Sequence, residues 1–384
     1  MAKYFYKSSA FLLLFSLVLL GQNTSRDLVS GKVILFESEI LKEKRGIYIS
    51  VPTFYENSEE RYPVLFVLDA EGNFPFATGM MHFLGQTGRQ PKMIVVGIPN
   101  TDRGRDFTPS VIADYKSGGA DQFIRFLKEE LFPYVEENYR TEPFKVLYGH
   151  SLTGMFSIYC LNKEPDLFQA HIAVSPALNY DNNYLFRRFN NQLGTTDEKH
   201  RFLYMAVGNE PRFLPVIEKY EEILDDVASD NLHWKYNYFE KDDHNSVRLK
   251  ALYEGLEFIY NDWMIDAEHL EGGYETIRNH YLELSEKYGY KMLPNEDTLN
   301  RIGYIYLRGA NFDDAIKIFK YNVELYPESA NVYDSLGDAF EKKDDPERAL
   351  ENYKVAVELS EKQNLRNKQV FVTNLNRIKK ILNK

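Results

Sequence analysis

Short, uninterrupted apolar runs alternate with amphipathic stretches through roughly the first two thirds of the chain. Tyr62–Asp69, Lys92–Ile98, Lys145–Gly149, Ala170–Val174 and Phe202–Val207 are runs of this kind, and Trp234–Phe239 reads as a sixth strand. Continuous apolar character, rather than alternation, is what a strand buried on both faces requires. Lys32–Leu41 and Gly46–Val51 instead place β-branched and aromatic residues at alternating positions, which predicts a strand pair. Between the runs, Phe123, Ile124, Leu127, Leu131 and Val135 recur at helical spacing. So do Val216, Ile217, Tyr220, Ile223 and Leu224, and later Leu249, Leu252, Leu256 and Ile259. Strands alternating with helices predict an α/β domain with a mostly parallel sheet covered on both faces. Sites in such sheets form beyond the carboxyl ends of the strands. Asp69–Gly72, Asn100–Pro109, Ser151, Gly208–Glu210 and Asp242–His244 all follow strands and are expected to converge on one edge.

Beyond Trp263 the strand signal stops. Glu268–Tyr288 reads as one polar helix, with Tyr274, Ile277, Tyr281 and Leu284 on its apolar face, and Pro294 follows it. A repeat comes next. Ile302, Gly303, Tyr306, Ala315 and Phe319 recur 34 residues later as Leu336, Gly337, Phe340, Ala349 and Tyr353. This is the period and small/aromatic pattern of tetratricopeptide repeats, with Pro327 at a repeat end. Asn322 stands where Ala356 keeps the usual alanine. Two unrelated helical hairpins are the plainer alternative. Since about three repeats make a stable array, Tyr274–Tyr288 and the last helix (Phe371, Leu375, Ile378, Leu382) are expected to complete the stack. Such a module could hold a peptide in its groove, or dock on the edge of the sheet and narrow access to Ser151.

The amino terminus is not part of the fold. Lys3 and Lys7 lead into Ala10–Leu20, eleven residues with only Ser16 polar, and Gly21 follows. This is too short to span a bilayer and fits a signal peptide, with an uncleaved anchor as the alternative. Export to the periplasm or medium is expected. The net charge of −11 argues against nucleic acid or an anionic membrane surface as a partner. Cys160, the only cysteine, excludes an intrachain disulfide and a cysteine-based zinc site, and reads as a small buried hydrophobe.

The candidate chemistry lies at Lys145–Phe156. An apolar run ends at Gly149, Ser151 follows, and a helical pattern starts at once: the layout of a nucleophile elbow. The match to G-x-S-x-G is incomplete, because Thr153 takes the second glycine's place and Gly154 comes one residue late. A serine capping a helix after an ordinary strand gives the same string. Acyl transfer also needs a base, an orienting acid and oxyanion donors. Of the histidines after Ser151, His171 falls inside a strand, His200 and His233 at strand beginnings, and His269 and His280 in the helical part. His244 alone lies just past the last strand. Glu210, just past the strand that ends at Gly208, is favoured as the acid over Asp225, Asp226, Asp242 and Asp243; a dyad without a strong third member is the alternative. Backbone N–H groups of Leu152 and Glu71 are the candidate oxyanion donors.

These stretches resemble the esterase family of α/β hydrolases that includes S-formylglutathione hydrolase, enterochelin esterases and mycolyltransferases. The likeness is carried by Tyr62–Asp69, Asn100–Pro109, Gly149–Leu152, Pro165–Phe168 with Ser175-Pro176, and Asp243–Ser246. It implies Ser151 as nucleophile, His244 as base and main-chain oxyanion donors at Glu71 and Leu152, with Glu210 a looser match. Thr153 and Ala70 depart from the family's usual residues. Arg103, Arg105 and Asp106 either line the pocket or form a structural ion pair.

The expected organisation is a signal peptide at 1–22, an α/β-hydrolase domain at 28–263, a helical linker at 264–295 and tetratricopeptide-like repeats with a capping helix at 296–384. The expected function is exported serine ester or thioester hydrolysis on a small-molecule substrate, with no cofactor and no metal. An acyltransferase using the same residues, a peptidase, and a non-catalytic scaffold binding a protein or peptide at the repeats are the alternatives.

Overall fold

The computed structural model describes residues 29–57, 59–187 and 199–383, so the segment read as a signal peptide lies outside the described residues. Eight strands form one sheet in the order β1-β2-β4-β3-β5-β6-β7-β8. β1 (Lys32–Ser38) and β2 (Glu43–Ser50) are the antiparallel pair expected at the amino end, and β2 also runs antiparallel to β4 (Ile94–Ile98). β3 (Tyr62–Leu68), β4, β5 (Thr141–His150), β6 (Ala170–Val174), β7 (Arg201–Gly208) and β8 (Leu232–Phe239) are parallel. β5 begins four residues before the apolar run at Lys145, because Thr141 pairs with Tyr62 ahead of a register shift.

Every residue of β3, β4, β6 and β7 is buried. Alternate side chains supply two cores. Leu65 and Val67 pack with α1 (Ala70–Gln86) and, later in the chain, the helix Val247–Ile259. Phe66 and Leu68 face the other way, against helices that follow β4, β5 and β7. After β4 come α2 (Arg103–Phe107), α3 (Ala120–Phe126) and α4 (Phe132–Asn138). The predicted Phe123–Val135 helix is therefore two helices joined through a π turn at Leu127–Leu131. α5 (Leu152–Lys163) follows β5, α6 (Tyr180–Arg187) follows β6, α7 (Leu214–Val227) follows β7, and α8 is Val247–Ile259. Cys160 is fully buried in α5.

The remaining chain is helical. The stretch expected as one helix is broken into α9 (Ala267–Glu271) and α10 (Gly273–Tyr288), where Gly273 turns the backbone to φ 78°. α11 (Glu296–Arg308), α12 (Phe312–Leu325), α13 (Ala330–Lys342), α14 (Pro346–Lys362) and α15 (Lys368–Leu382) complete it. The same contact recurs in two of these pairs. A Cβ at Gly303 would lie 2.4 Å from the Phe319 ring, and one at Gly337 would lie 2.7 Å from the Tyr353 ring. The missing side chain lets the paired helices close on the aromatic.

These helices do not narrow access to Ser151, as one reading of the sequence expected. They join the sheet at the opposite end. Tyr288 of α10 stacks on Phe202 at 5.8 Å and meets Phe144 edge-on at 5.3 Å. Phe144 precedes Ser151 by seven residues along β5, which is about 23 Å at ~3.3 Å per residue.

Candidate active site

Ser151 occupies the turn between β5 and α5 with φ 62° and ψ −116°, a conformation that an L-residue adopts only under constraint. Two close approaches impose it. A Cβ at Gly149 would fall 2.2 Å from the Thr153 carbonyl oxygen, and one at Gly154 would fall 2.8 Å from the Val174 carbonyl oxygen. The late glycine therefore serves the contact between α5 and β6. Backbone bonds fix the turn: Ser151 N–H donates to Val174 O at 2.8 Å, and Ala177 N–H donates to Ser151 O at 3.0 Å.

Thr153 is fully buried and acts as a connector. Its Oγ1 accepts the His150 N–H at 2.8 Å and lies 2.8 Å from Asp69 Oδ2, to which it donates. Asp69 is itself left-handed, at φ 50°, and begins α1. Its carboxylate also accepts from Arg103 Nε at 2.7 Å and Asn100 Nδ2 at 2.8 Å. Burial pushes this carboxyl up, but the bonds from Arg103, Asn100 and Thr153 outweigh it and hold it below the usual carboxylate range. Arg103 reaches on to His150 O at 3.2 Å. The amino ends of α1 and α5 are thus tied together. Leu152 is the first residue of α5 and Glu71 the second of α1, positions whose N–H groups have no acceptor within their own helix. The Glu71 carboxylate is turned to Asn100 N–H, at 2.8 Å.

Glu210 lies two residues past β7, in a turn that touches the next loop. Asn209 N–H donates to Asp242 O at 2.6 Å, and a Cβ at Gly208 would lie 2.6 Å from that same oxygen. This contact brings Glu210 to His244, whose Nδ1 is hydrogen-bonded to Glu210 Oε2. Glu210 also accepts the Ser175 hydroxyl and, at 3.1 Å, Gly208 N–H. Burial raises the Glu210 carboxyl, and the bonds from His244, Ser175 and Gly208 more than offset it, leaving it lowered and ionised. An ionised carboxylate only accepts, so Nδ1 carries a proton and donates it to Glu210. Phe213 stacks on the His244 ring at 5.3 Å and 11°. The ring of His150, next to Ser151, lies 4.3 Å from it on centroids. His244 and Glu210 are therefore in contact with each other and beside the turn that carries Ser151. Burial, with His244 and Arg248 nearby, pushes the His150 imidazole down to about 4, so it is neutral at physiological pH.

Several of the other candidates have structural partners. His171 is buried against Ser157 at 3.0 Å, His200 and His233 bond each other at 2.8 Å, and His269 bonds Asp266. Asp242 binds Lys250 and Ser246, and Asp243 caps the Asn245 and Ser246 amides. Arg105 and Asp106 belong to a network with Arg45 and Glu43, where Arg45 Nη2 is 2.7 Å from Asp106 and both side chains are buried. Arg103, by contrast, is at the site. Sequence reasoning placed Asp69 at this edge without giving it a role, missed Ser175 and Phe213, and read Thr153 only as a misfit. Asp69 and Ser175 did lie in stretches that carried the family likeness, at strand ends, yet nothing in the string shows what they touch.

Residues 38–246 match the model of the family described as "Putative esterase". The chain is 26% identical over 241 residues to the ferri-bacillibactin esterase BesA of Bacillus subtilis, covering 55% of this chain and 82% of that protein. The crystal structure of an IroE-like serine hydrolase from Shewanella oneidensis superposes with a TM-score of 0.67 at 26% identity, over 77% of this chain and 99% of that one. An uncharacterised protein from Capnocytophaga ochracea, 19% identical, shares the fold over 91% of this chain and 99% of its own, with a TM-score of 0.63.

Proposed function

The chain belongs to this esterase family, and on that premise we propose that it hydrolyses carboxylic ester or thioester bonds through an acyl-enzyme on Ser151. In this reading His244 Nε2 takes the Ser151 proton as Oγ attacks the carbonyl carbon, and Glu210 holds the imidazole in the required tautomer. The Leu152 and Glu71 N–H groups receive the oxyanion of the tetrahedral intermediate. His244 then protonates the departing alkoxide or thiolate. Water, deprotonated by the same histidine, attacks the acyl-enzyme and releases the acid. The observation that carries the reading is the His244–Glu210 bond, formed between loops 34 residues apart, beside the strained Ser151 turn.

The substrate is a small-molecule ester. BesA is named for ferri-bacillibactin, so ferric siderophore esters head the substrates to be tried. An alcohol in place of water would give acyl transfer from the same intermediate. The protein acts after export, its first 22 residues serving as the signal. The division into a hydrolase domain to residue 263, a linker to 295 and a repeat module to 384 is part of the same proposal. The recurrent Gly303–Phe319 and Gly337–Tyr353 contacts favour tetratricopeptide repeats there, with a peptide partner.

The test is fluorophosphonate labelling together with nitrophenyl ester hydrolysis. Wild type should label and turn over. Ser151→Ala should do neither, and His244→Ala should lose turnover while keeping its fold. Undiminished labelling of Ser151→Ala would refute the assignment.

A further inference from the structure

A cavity of about 300 Å³ lies at the other end of the molecule, between the amino ends of β3 and β5 and the first helices beyond the sheet. Glu142, on its wall, precedes Ser151 by nine residues of extended chain, or about 30 Å at ~3.3 Å per residue. The cavity therefore cannot contribute to the chemistry at Ser151, and any occupant of it is independent of that serine's role.

Three features of the wall point to one kind of occupant. The first is aromatic area. Trp263, Tyr281 and Tyr326 line the space with Met264 and Met292, a surface suited to a flat apolar ring. The second is charge. Arg61, Lys92, Lys291 and Arg301 are on the wall, where the acidic residues are Glu60 and Glu142. Lys92 is 3.7 Å from Glu60, and burial raises the Glu142 carboxyl. Among the described residues Arg301 has no ion pair. A protein of net charge −11 has here a local excess of cations. The third is a pair of poorly used donors. The Tyr290 hydroxyl is buried with no hydrogen-bond partner among the described residues. Gln90 is 3% exposed, and its amide nitrogen donates to the Met81 sulfur at 3.2 Å, a weak acceptor. A buried donor without an acceptor is costly, so an occupant that brings acceptor oxygens is favoured.

We propose that this cavity is a binding site for a small aromatic carboxylate, its ring among Trp263, Tyr281 and Tyr326 and its carboxylate near Tyr290 and Arg301. The volume suits a ligand of one or two rings. Because the wall is shared between sheet and helices, the ligand binds only their docked arrangement and stabilises it.

The experiment is calorimetric titration of the full chain with biphenyl-4-carboxylate and with its neutral counterpart, biphenyl-4-methanol, backed by thermal unfolding. A single site with a Kd below about 1 mM, at least tenfold tighter for the acid than for the alcohol, is expected. Tyr290→Phe and Arg301→Gln should each weaken the acid by about tenfold while leaving ester hydrolysis and circular dichroism unchanged. At equal concentration the acid should raise the unfolding temperature more in wild type than in either variant. Equal affinity for acid and alcohol, undiminished affinity in both variants, or no saturable binding (water as the only occupant) would each overturn the proposal. Tyr290→Phe removes one oxygen from an unbonded position, so it keeps the test decisive even if Arg301→Gln folds poorly.

Discussion

Thr153→Val tests whether the tie between α1 and α5 serves catalysis. Valine has threonine's shape, so the buried position stays filled. The change removes the bond to Asp69 Oδ2 at 2.8 Å and leaves the His150 N–H, also 2.8 Å from Oγ1, without its acceptor. A buried donor left unpaired costs about 1–3 kcal/mol, and a bond to an ionised carboxylate contributes about 1.5–3 kcal/mol. Asp69 keeps Arg103 and Asn100, so part of the loss is recovered, and about 2–4 kcal/mol of stability should go. The catalytic effect follows from geometry. The tie sets the amide of Leu152 relative to that of Glu71, and removing an oxyanion donor outright costs about 10²–10³ in rate. Mis-setting one should lower kcat by about 10–100-fold, or ~1.4–2.7 kcal/mol of barrier, with KM little changed. Thr153→Ser, which keeps the hydroxyl, should restore most of kcat. The assay is kcat and KM on a nitrophenyl ester beside urea unfolding. A Thr153→Val enzyme that loses stability yet keeps kcat within about twofold of wild type would refute the reasoning.

Further outcomes are expected elsewhere. Glu210→Gln should keep the fold but cut kcat by about 10²–10⁴, because an amide at that position no longer enforces the Nδ1–H tautomer; steady-state kinetics at saturating ester would show it. Asp334 is buried, and its carboxyl is pushed up to about 6 despite the bond from Asn374. A raised carboxyl means the folded state holds the proton better than the unfolded one, so this residue's penalty is full above about pH 6 and fades as pH falls towards ~4. Asp334→Asn should therefore gain about 1–3 kcal/mol at pH 7.5 and almost nothing at pH 4, as urea unfolding at both pH values would check. Gly337→Ala drives a Cβ to 2.7 Å from the Tyr353 ring and should destabilise the α13–α14 pair by about 1–3 kcal/mol. Esterase kcat should not change, since that pair joins the molecule away from Ser151.

Much of the architecture was legible in the string. Short apolar runs without alternation fit strands covered on both faces, and β3, β4, β6 and β7 are buried throughout. Local pattern also singled out Ser151 and, through its place after the last strand, His244 as candidates, and the fold brings His244 beside the Ser151 turn. The pattern missed the break at Gly273 and the π turn at Leu127–Leu131, where helical spacing continues across a change of backbone path. What only the tertiary structure decided was contact between distant segments. Nothing near Thr153 announces that its hydroxyl meets Asp69, and nothing near Phe144 announces that helices from beyond residue 263 pack there, away from Ser151. Burial periodicity is written residue by residue, because each side chain responds to which face it occupies. A hydrogen bond across 84 residues depends on where the folded sheet puts both ends, and no single segment encodes that.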